Sequence, residues 1–324
     1  MNNLIVATEK GLVICEHDRD NWRESTRGLK DQQVTSVIAR EGVILTGTTK
    51  GVFRSDDMGQ TWVEASNGLT ARHVRWLAYH PDVSDLEFAG TEPANIFVSH
   101  DGGDSWRACP EVAQLRDEHK WSLPYSPEAG CVRGFAFHGA RVYAAVEVGG
   151  VLRSYDNGET WQLAEGSDGN PSFDGPPEPF VYPDVHSLEV HPLSPDLVYA
   201  PTGGGFYRSK DGGKTWKIFY DCYCRAVWVD PQDPDHCILG PADYVDSNGR
   251  IEKSRDGGQT WSPASSGLKV PWRRGMVERF FQADDELFAV LSNGQLISAT
   301  LSTLKWHRIL PNISDVNAIT TMAG

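Results

Sequence analysis

The sequence predicts an all-β fold, a seven-bladed β-propeller of four-stranded antiparallel blades in which the N- and C-terminal strands share one blade. Two observations predict it: an octapeptide that recurs along the chain, and a strand pattern that occurs seven times. The composition agrees, because 11 Trp and 32 Gly among 324 residues suit many short strands and tight turns. No long segment has apolar residues at helical spacing.

The octapeptide has the pattern Ser-x-Asp-x-Gly-x-Thr/Ser-Trp, and decayed copies of it end at Trp22 and Trp306. Its Trp residues follow one another at intervals of roughly 40 to 55 residues, which is the period of a four-stranded propeller blade. The five full copies run from Ser55 to Trp62, Ser99 to Trp106, Ser154 to Trp161, Ser209 to Trp216 and Ser254 to Trp261.

The residues of the octapeptide explain its place in the fold. Asp-x-Gly between two strands predicts a hairpin turn, in which Gly takes the conformation with positive φ. The Asp carboxylate can accept hydrogen bonds from backbone N–H groups of that turn, and the Trp ring can pack between blades. We therefore interpret the five Asp residues as part of the blade structure and not as a repeated carboxylate site.

A second pattern marks the innermost strand of each blade: an apolar residue, two variable residues and another apolar residue. The copies begin at Val34, Val74, Val132, Val185, Cys224, Val277 and Val316. The last copy follows the final octapeptide, whereas the N-terminal segment LIVATEKGLVI resembles a second strand without a first. We therefore expect one domain, 1–324, closed by a shared blade that removes exposed sheet edges. Blade 1 comprises 1–30 and 316–324, and blades 2–7 start near 34, 74, 132, 185, 224 and 277.

Through these octapeptides the sequence resembles the Asp-box (BNR-repeat) propeller families. These include sialidases, BNR-repeat glycoside hydrolases, sortilin-type receptors and photosystem II assembly factors. The resemblance extends over nearly the whole chain. It implies the propeller fold and says little about activity, because these families share the repeat and little chemistry.

The formal net charge of −14 argues against some classes of partner. Phosphate binding needs a net or local basic surface, so we expect no nucleic-acid partner; an anionic membrane surface is disfavoured for the same reason. No segment approaches the run of about 18 apolar residues that a membrane-spanning helix needs. The first residues, MNNLIVATEKG, lack the features of a secretion signal. We therefore expect a cytoplasmic protein whose six cysteines are reduced thiols.

The second residue of each innermost strand is the main candidate for function, because it varies and is polar in every blade. The entry ends of these strands surround the channel, so we expect the side chains to form a positive pocket at its mouth. Arginine suits carboxylate, sulfate or phosphate groups, and the predicted partner is a small anionic molecule or carbohydrate. Salt bridges between blades are the structural alternative. In ring order the residues are Thr35, Arg75, Arg133, His186, Arg225, Glu278 and Asn317.

Two long connections, 107–131 and 162–184, are expected to border the same mouth. Long loops on a rigid scaffold often form binding walls, so their aromatic residues Trp121 and Tyr182 are predicted to contact the ligand. A tolerated surface insertion is the alternative.

Three functional classes remain open, and the first is glycan hydrolysis or lysis. Sialidases use a Tyr assisted by a Glu, and here Tyr223 and Glu278 lie near the entries to neighbouring blades. Glu147 and His186 are further catalytic candidates, and Glu92 is a candidate ligand contact; these acids could instead pair with the arginines. Two features oppose a sialidase: the Arg-Ile-Pro motif is absent, and those enzymes have six blades.

The second class is a non-catalytic scaffold that binds a protein on this face, as the assembly factors and sortilin-type receptors imply. The third is another enzyme of small anionic metabolites, in which side chains at the strand entries supply N, O and S ligands. Because no paired motif has short metal-ligand spacing, we expect neither a metal nor a cofactor. The entry residues in question are His73, Cys131, Asp184, His186 and Tyr223.

Overall fold

A computed structural model of the chain confirms the seven-bladed propeller. It describes residues 3–18, 21–123, 125–126, 130–172 and 174–322. Seven four-stranded antiparallel sheets form a closed ring, and one α-helix, α1 (Pro110–His119), lies in the connection between blades 3 and 4.

Blades 1 to 3 contain the first eleven strands and the last one. Blade 1 contains β1 (Asn3–Thr8), β2 (Gly11–Asp18), β3 (Asn21–Gly28) and the innermost strand β28 (Val316–Thr320). Blade 2 contains β4 (Val34–Arg40), β5 (Val43–Thr48), β6 (Gly51–Ser55) and β7 (Val63–Glu64). Blade 3 contains β8 (His73–Tyr79), β9 (Glu87–Glu92), β10 (Ile96–Ser99) and β11 (Arg107–Ala108).

Blades 4 to 7 each run from the innermost to the outermost strand. Blade 4 contains β12 (Cys131–His138), β13 (Arg141–Glu147), β14 (Gly150–Ser154) and β15 (Gln162–Leu163). Blade 5 contains β16 (Glu189–Val190), β17 (Val198–Thr202), β18 (Gly205–Ser209) and β19 (Lys217–Tyr220). Blade 6 contains β20 (Tyr223–Asp230), β21 (Asp233–Ala242), β22 (Glu252–Ser254) and β23 (Ser262–Pro263). Blade 7 contains β24 (Val277–Ala283), β25 (Glu286–Leu291), β26 (Leu296–Thr300) and β27 (His307–Ile309).

The ring is closed by pairing between the two terminal strands. β28 lies antiparallel to β1, with Val6 opposite Ile319 and Ala7 opposite Ala318. The shared blade inferred from the N-terminal second-strand pattern is therefore present.

Blade 5 differs from the expected repeat at its innermost strand. Its ladder begins at Glu189 rather than near 185, and Val185 makes only an isolated bridge to Thr202. The intervening segment bonds on both sides. The N–H of His186 donates to the carbonyl oxygen of Pro201 in β17, and the hydroxyl of Ser187 donates to the carbonyl oxygen of Arg225 in blade 6.

The Asp-box octapeptides form the turns that their residues predict. In blade 4, Asp156 accepts hydrogen bonds from the backbone N–H and the hydroxyl of Thr160. Ser154 donates to Asp156 and accepts from the N–H of Gly158. The ring of Trp161 is buried against Phe88 of blade 3, so this box both fixes a turn and joins two blades.

Two further findings concern the chain as a whole. All six cysteines carry free thiols, and five of them are buried. In the described part of the chain, α1 has only 10 residues, and no helix has the length and apolar character needed to cross a membrane.

Candidate functional site

A β-bulge explains why the second residue of the innermost strand projects toward the channel. In β12 the ladder runs from Val132 directly to Gly134, so Arg133 is left out of the regular pairing. The same shift skips Arg75 in β8 and Glu278 in β24. A bulge bends the strand and redirects the side chain of the extra residue. The variable position is therefore the bulged position.

A cavity of about 320 Å³ occupies one mouth of the channel, and we call it the upper cavity. Its lining includes five second-position residues and Arg279, a third-position residue that the sequence analysis did not single out. The five are Thr35, Arg75, Arg133, Glu278 and Asn317. His186 and Arg225 are not among the described residues that line this cavity. The seven second-position side chains therefore converge there only in part.

Two arginines at the upper cavity pair with glutamates of their own blades. Nη1 of Arg75 lies 3.2 Å from Oε2 of Glu92, and Nη1 of Arg133 lies 2.8 Å from Oε2 of Glu147. Both glutamates end the second strand of their blade. The pairing alternative therefore holds for both, while both guanidinium groups still line the cavity.

Glu278 links three blades. Its carboxylate bonds to Arg225 of blade 6 and lies 3.5 Å from Nη2 of Arg133 of blade 4. Burial alone would raise the pKa of Glu278, but the charges of Arg225 and Arg133 lower it below its usual value. Glu278 is thus an ionised bridge between two arginines.

The side chains of Thr35 and Asn317 donate hydrogen bonds to backbone carbonyl groups of the neighbouring blades. The hydroxyl of Thr35 donates to the carbonyl oxygen of Val74 at 2.6 Å. The amide of Asn317 donates to the carbonyl oxygen of Val34 at 2.8 Å. Each bond joins neighbouring blades, so both side chains line the cavity and also hold the ring together.

Arg279 is the residue that sequence reasoning missed. Its Cζ lies 3.5 Å from the ring centroid of Trp76, and Nη2 donates to the carbonyl oxygen of Arg133 at 2.8 Å. Among the described residues no carboxylate lies within 4 Å of its guanidinium group. Burial and the charge of Arg133 outweigh the attraction of Glu278 and lower the pKa of Arg279 to about 9.

A signal for Arg279 was present in the third position of the innermost strands. This position is small in five blades, which leaves room in the channel, and large in the remaining two, Trp76 and Arg279. The two large residues are the ones that meet across the channel. The five small residues are Ser36, Gly134, Ser187, Ala226 and Ala318.

A second cavity, of about 120 Å³, lies on the other side of this pair, and we call it the lower chamber. Glu278 and Arg279 line both spaces and so separate them. The lower chamber is largely aromatic and aliphatic, with Arg225 and Glu189 in its wall. The side chain of Glu189 is exposed at the wall of the chamber, yet the protein atoms around its carboxyl desolvate it and raise its pKa to about 7.

His186 and Tyr223 lie beside the upper cavity in a hydrogen-bonded group. Nδ1 of His186 lies 2.9 Å from the carbonyl oxygen of Cys224, and Nε2 lies 3.2 Å from the hydroxyl of Tyr223. Arg225 donates to the same hydroxyl, at 3.4 Å from Nε and 3.3 Å from Nη2. Burial raises the pKa of Tyr223 to about 12 even with Arg225 close by.

Glu147 is held in its ionised form. Burial opposes its charge, but the charges of Arg133 and Arg75 help to reverse that effect, and the pKa of Glu147 is lowered to about 2. Oε2 of the carboxylate also accepts a hydrogen bond from the thiol of Cys131 at 3.2 Å. A group this acidic carries no proton to donate at neutral pH.

The two long connections contact each other. The ring N–H of Trp121 donates to the carbonyl oxygen of Gly169 at 3.0 Å, and the ring is 2% exposed. Trp121 therefore ties the first connection to the second instead of facing the cavity. Tyr182 packs over Gly204 of blade 5.

Tyr125 is the described aromatic residue of the first connection that approaches the mouth. Its side chain is exposed, yet desolvation and the charge of Glu147 raise the pKa of its hydroxyl, and Arg75 is close enough to oppose them. Positions 124, 127–129 and 173 of the two connections lie outside the described residues. Trp121 and Tyr182 are not among the described residues that line the upper cavity, and Tyr125 is near enough to Arg75 and Glu147 for their charges to act on its hydroxyl.

The comparisons with known proteins agree with this fold. The BNR/Asp-box repeat family model matches residues 207–217 and 252–263, which contain the whole of the fourth and fifth octapeptides. The chain is a seven-bladed β-propeller, and two of its blades contain a segment that matches the BNR/Asp-box repeat. No curated protein matches its sequence.

Several solved structures share the fold of this Asp-box propeller. An ancestral GH74 enzyme has 18% identity and a TM-score of 0.62, over 88% of this chain and 38% of that one. YCF48 bound to D1 peptide has 16% identity and a TM-score of 0.60, over 89% and 85%. YCF48 from Cyanidioschyzon merolae has 15% identity and a TM-score of 0.58, over 88% and 87%. The propeller thus spans most of YCF48 but well under half of the GH74 enzyme.

Proposed function

We propose that this propeller binds a ligand with a carboxylate or similar anionic group in the upper cavity, as a binding module and not as a hydrolase. The observation that carries the proposal is Arg279, whose guanidinium group lines the cavity with no carboxylate within 4 Å among the described residues. Its nearest charged neighbours include a second cation, Arg133. An anion at this point would offset both charges.

The charge balance around the cavity supports an anionic ligand. Arg75 and Arg133 are each paired by a glutamate, and Arg225 shares Glu278 with Arg133. Among the described arginines around the cavity, Arg279 is the one that forms no ion pair with a carboxylate. Guanidinium groups at a partly desolvated cavity bind carboxylates in a planar, two-bond geometry, which favours this ligand class over a neutral one.

The partners of the candidate catalytic groups argue against catalysis. A general acid must hold a proton near the working pH, whereas an arginine partner keeps a carboxylate ionised. Glu147 is paired with Arg133, and Glu278 with Arg225. The hydroxyl of Tyr223 bonds to His186 and Arg225, and no described hydrogen bond joins it to Glu278 as a Tyr–Glu pair would require. These groups suit binding better than glycan hydrolysis or lysis.

A peptide carboxylate is the second candidate ligand. It is favoured by the likeness to YCF48 bound to D1 peptide, because the two propellers correspond over 89% and 85% of their lengths. The match to the GH74 enzyme covers only 38% of that chain. In this alternative, the same cavity would hold a carboxylate that belongs to a protein partner.

Thermal shift and calorimetry would test the proposal on the full chain. The panel comprises a uronic acid, a dicarboxylate, inorganic phosphate, and one acidic peptide with either a free or an amidated C-terminus. A ligand at 100 times its Kd stabilises the fold by about 2.7 kcal/mol. We expect at least one carboxylate to raise the Tm, and Arg279→Gln to abolish that rise.

Arg208→Gln is the matched control. Arg208 is also a buried arginine over an aromatic ring, with Cζ 5.0 Å from the centroid of Tyr199, but it pairs with Asp235 away from the cavity. Ligand binding should survive this change. If no anion in the panel binds, or if both substitutions weaken binding equally, the proposal is wrong; a shift with the free peptide alone selects the peptide alternative.

A further inference from the structure

Three polar side chains from two neighbouring blades converge beside the upper cavity. Glu147 belongs to blade 4, and Asp184 and His186 precede the ladder of blade 5. One potential ligand atom from each lies within 4.8 Å of the other two. The side chains are 11%, 11% and 0% exposed, so water is largely excluded from them.

In a neutral His186 ring, the contact between Nε2 and Asp184 has no hydrogen atom between the two atoms. Nδ1 faces the carbonyl oxygen of Cys224, which can only accept, so Nδ1 carries the hydrogen and Nε2 of the neutral ring has a lone pair. Nε2 lies 3.2 Å from the hydroxyl of Tyr223, which can donate to it. It also lies 3.2 Å from Oδ2 of Asp184, which cannot.

The other oxygen of Asp184 has no partner either. Oδ1 is buried, and no hydrogen bond reaches it in the described part of the chain. Asp184 as a whole is 8% exposed, and its backbone is fixed because its carbonyl oxygen accepts from the N–H of Gly203. A buried carboxylate with one oxygen unpaired and the other facing a lone pair is costly unless a positive charge lies beside it.

We propose that Glu147, Asp184 and His186 form a binding site for one divalent transition-metal ion, with Mn²⁺ and Zn²⁺ as the fitting ions. One imidazole and two carboxylates are a suitable ligand set for such ions. The bond from Nδ1 to a backbone carbonyl is the support that metal-binding histidines usually have. The site does not rest on the anion proposal, although it shares Glu147 with the ion pair of Arg133 at the upper cavity.

The distances fit an ion with small adjustments. Metal–ligand bonds of about 2.1 Å place ligand atoms about 3.4 Å apart in a tetrahedral site. Nε2 of His186 and Oδ2 of Asp184 already lie 3.2 Å apart. Arg133 bonds to Oε2 of Glu147, and no described residue bonds to Oε1, so this oxygen is available after a shift of roughly 1 Å.

An entry path lies next to the site. A cavity of about 360 Å³ is lined by residues that include Gly203, Tyr223 and Asp243. Tyr223 contacts His186, and Gly203 contacts Asp184, so two of its wall residues touch the proposed ligands. When an ion takes the lone pair of Nε2, the hydroxyl of Tyr223 gives up its bond to that atom and can bond to a water on the ion instead.

Metal content and affinity would test the site. The full chain is stripped with a chelator, dialysed against Mn²⁺ or Zn²⁺, and analysed by mass spectrometry for metal per chain, with affinity from competition against a chromophoric chelator. We expect one ion per chain. Asp184→Asn should weaken binding by more than the roughly 10–100-fold typical of a residue that only supports a ligand.

Glu92→Gln is the matched control. Like Glu147, Glu92 pairs with an arginine, Arg75, and it lies 3.6 Å from Nδ1 of a histidine, His73, but it does not belong to the proposed group of three ligands. It should leave metal binding unchanged. If Asp184→Asn does not fold, Glu147→Gln and the visible spectrum of the Co²⁺-loaded wild type provide the same test. Less than one ion per chain, or equal loss in the control, would overturn the site and leave a charged His186 as the partner of Asp184.

Discussion

The guanidinium carbon of Arg279 lies 3.5 Å from the ring centroid of Trp76, although the two residues come from blades on opposite sides of the channel. The contact divides the channel into the upper cavity and the lower chamber. It also fixes a positive charge in a place where burial lowers its pKa to about 9. A cation–π contact of this kind contributes about 1–2 kcal/mol and offsets part of that burial.

Two arginines in this channel should respond to substitution with opposite signs. Arg279→Met keeps the packing on Trp76 and removes a poorly compensated charge, so the free energy of unfolding should stay the same or rise by roughly 1–3 kcal/mol. Arg133→Met leaves Glu147 and Glu278 without their shared cation and should cost about 3–5 kcal/mol. Urea unfolding followed by fluorescence measures both; effects of the same sign would contradict this account of Arg279.

The blades could be predicted because their signals are local. The octapeptide contains the whole turn, from the hydroxyl of Ser154 to the ring of Trp161, and the innermost strand repeats its apolar positions. The bulge at the second position placed Arg75 and Arg133 at the mouth, as the sequence indicated. Each of these features depends on residues close together in the chain.

The contacts across the channel could not be predicted in the same way. Glu278 bonds to Arg225 and forms an ion pair with Arg133, and both contacts depend on side-chain directions that no repeat encodes. Asp184 and His186 were seen as possible ligands, but Glu147 joins them only because blades 4 and 5 are adjacent and the chain leaves the ladder at 185. Such contacts require the assembled ring.

Stability should depend on pH through Glu189. Its pKa in the folded protein is raised to about 7, so folding favours the protonated form. The contribution of this group is therefore most favourable below its unfolded pKa of about 4.5 and is lost as the pH rises toward 7. Glu189→Gln should be more stable than the wild type at pH 8 and no more stable at pH 4.

Tm measured from pH 4 to pH 9 would check this expectation. Arg225, Glu278 and Arg279 line the same chamber. The pKa of Glu278 is lowered and that of Arg225 is raised, so both shift away from the pKa of Glu189, and only the upper end of the range approaches the pKa of Arg279 at about 9. Glu118→Gln, on the exposed face of α1, is the control and should follow the wild type at every pH. A constant difference between Glu189→Gln and the wild type would refute the shift.

The Asp boxes should affect stability and not binding. Ser154 is 1% exposed, and its hydroxyl both donates to Asp156 and accepts from the N–H of Gly158. Ser154→Ala leaves that N–H without a partner and should cost about 1–2 kcal/mol of unfolding free energy. Ser262→Ala, at an exposed site, should cost much less. Anion and metal affinities should match the wild type in both variants, and a changed affinity would contradict a structural role.

Trp121 should hold the two long connections against each other. Its ring N–H donates to the carbonyl oxygen of Gly169, and this bond joins the first connection to the second. Trp121→Phe removes the bond while keeping most of the packing. We therefore expect the free energy of unfolding to fall by about 1–2 kcal/mol and backbone hydrogen exchange to become faster across 166–172. Trp261→Phe loses a similar bond, but to Gly258 within its own turn, and should leave exchange in 166–172 unchanged. Equal exchange in the two variants would show that Trp121 does not hold the connections together.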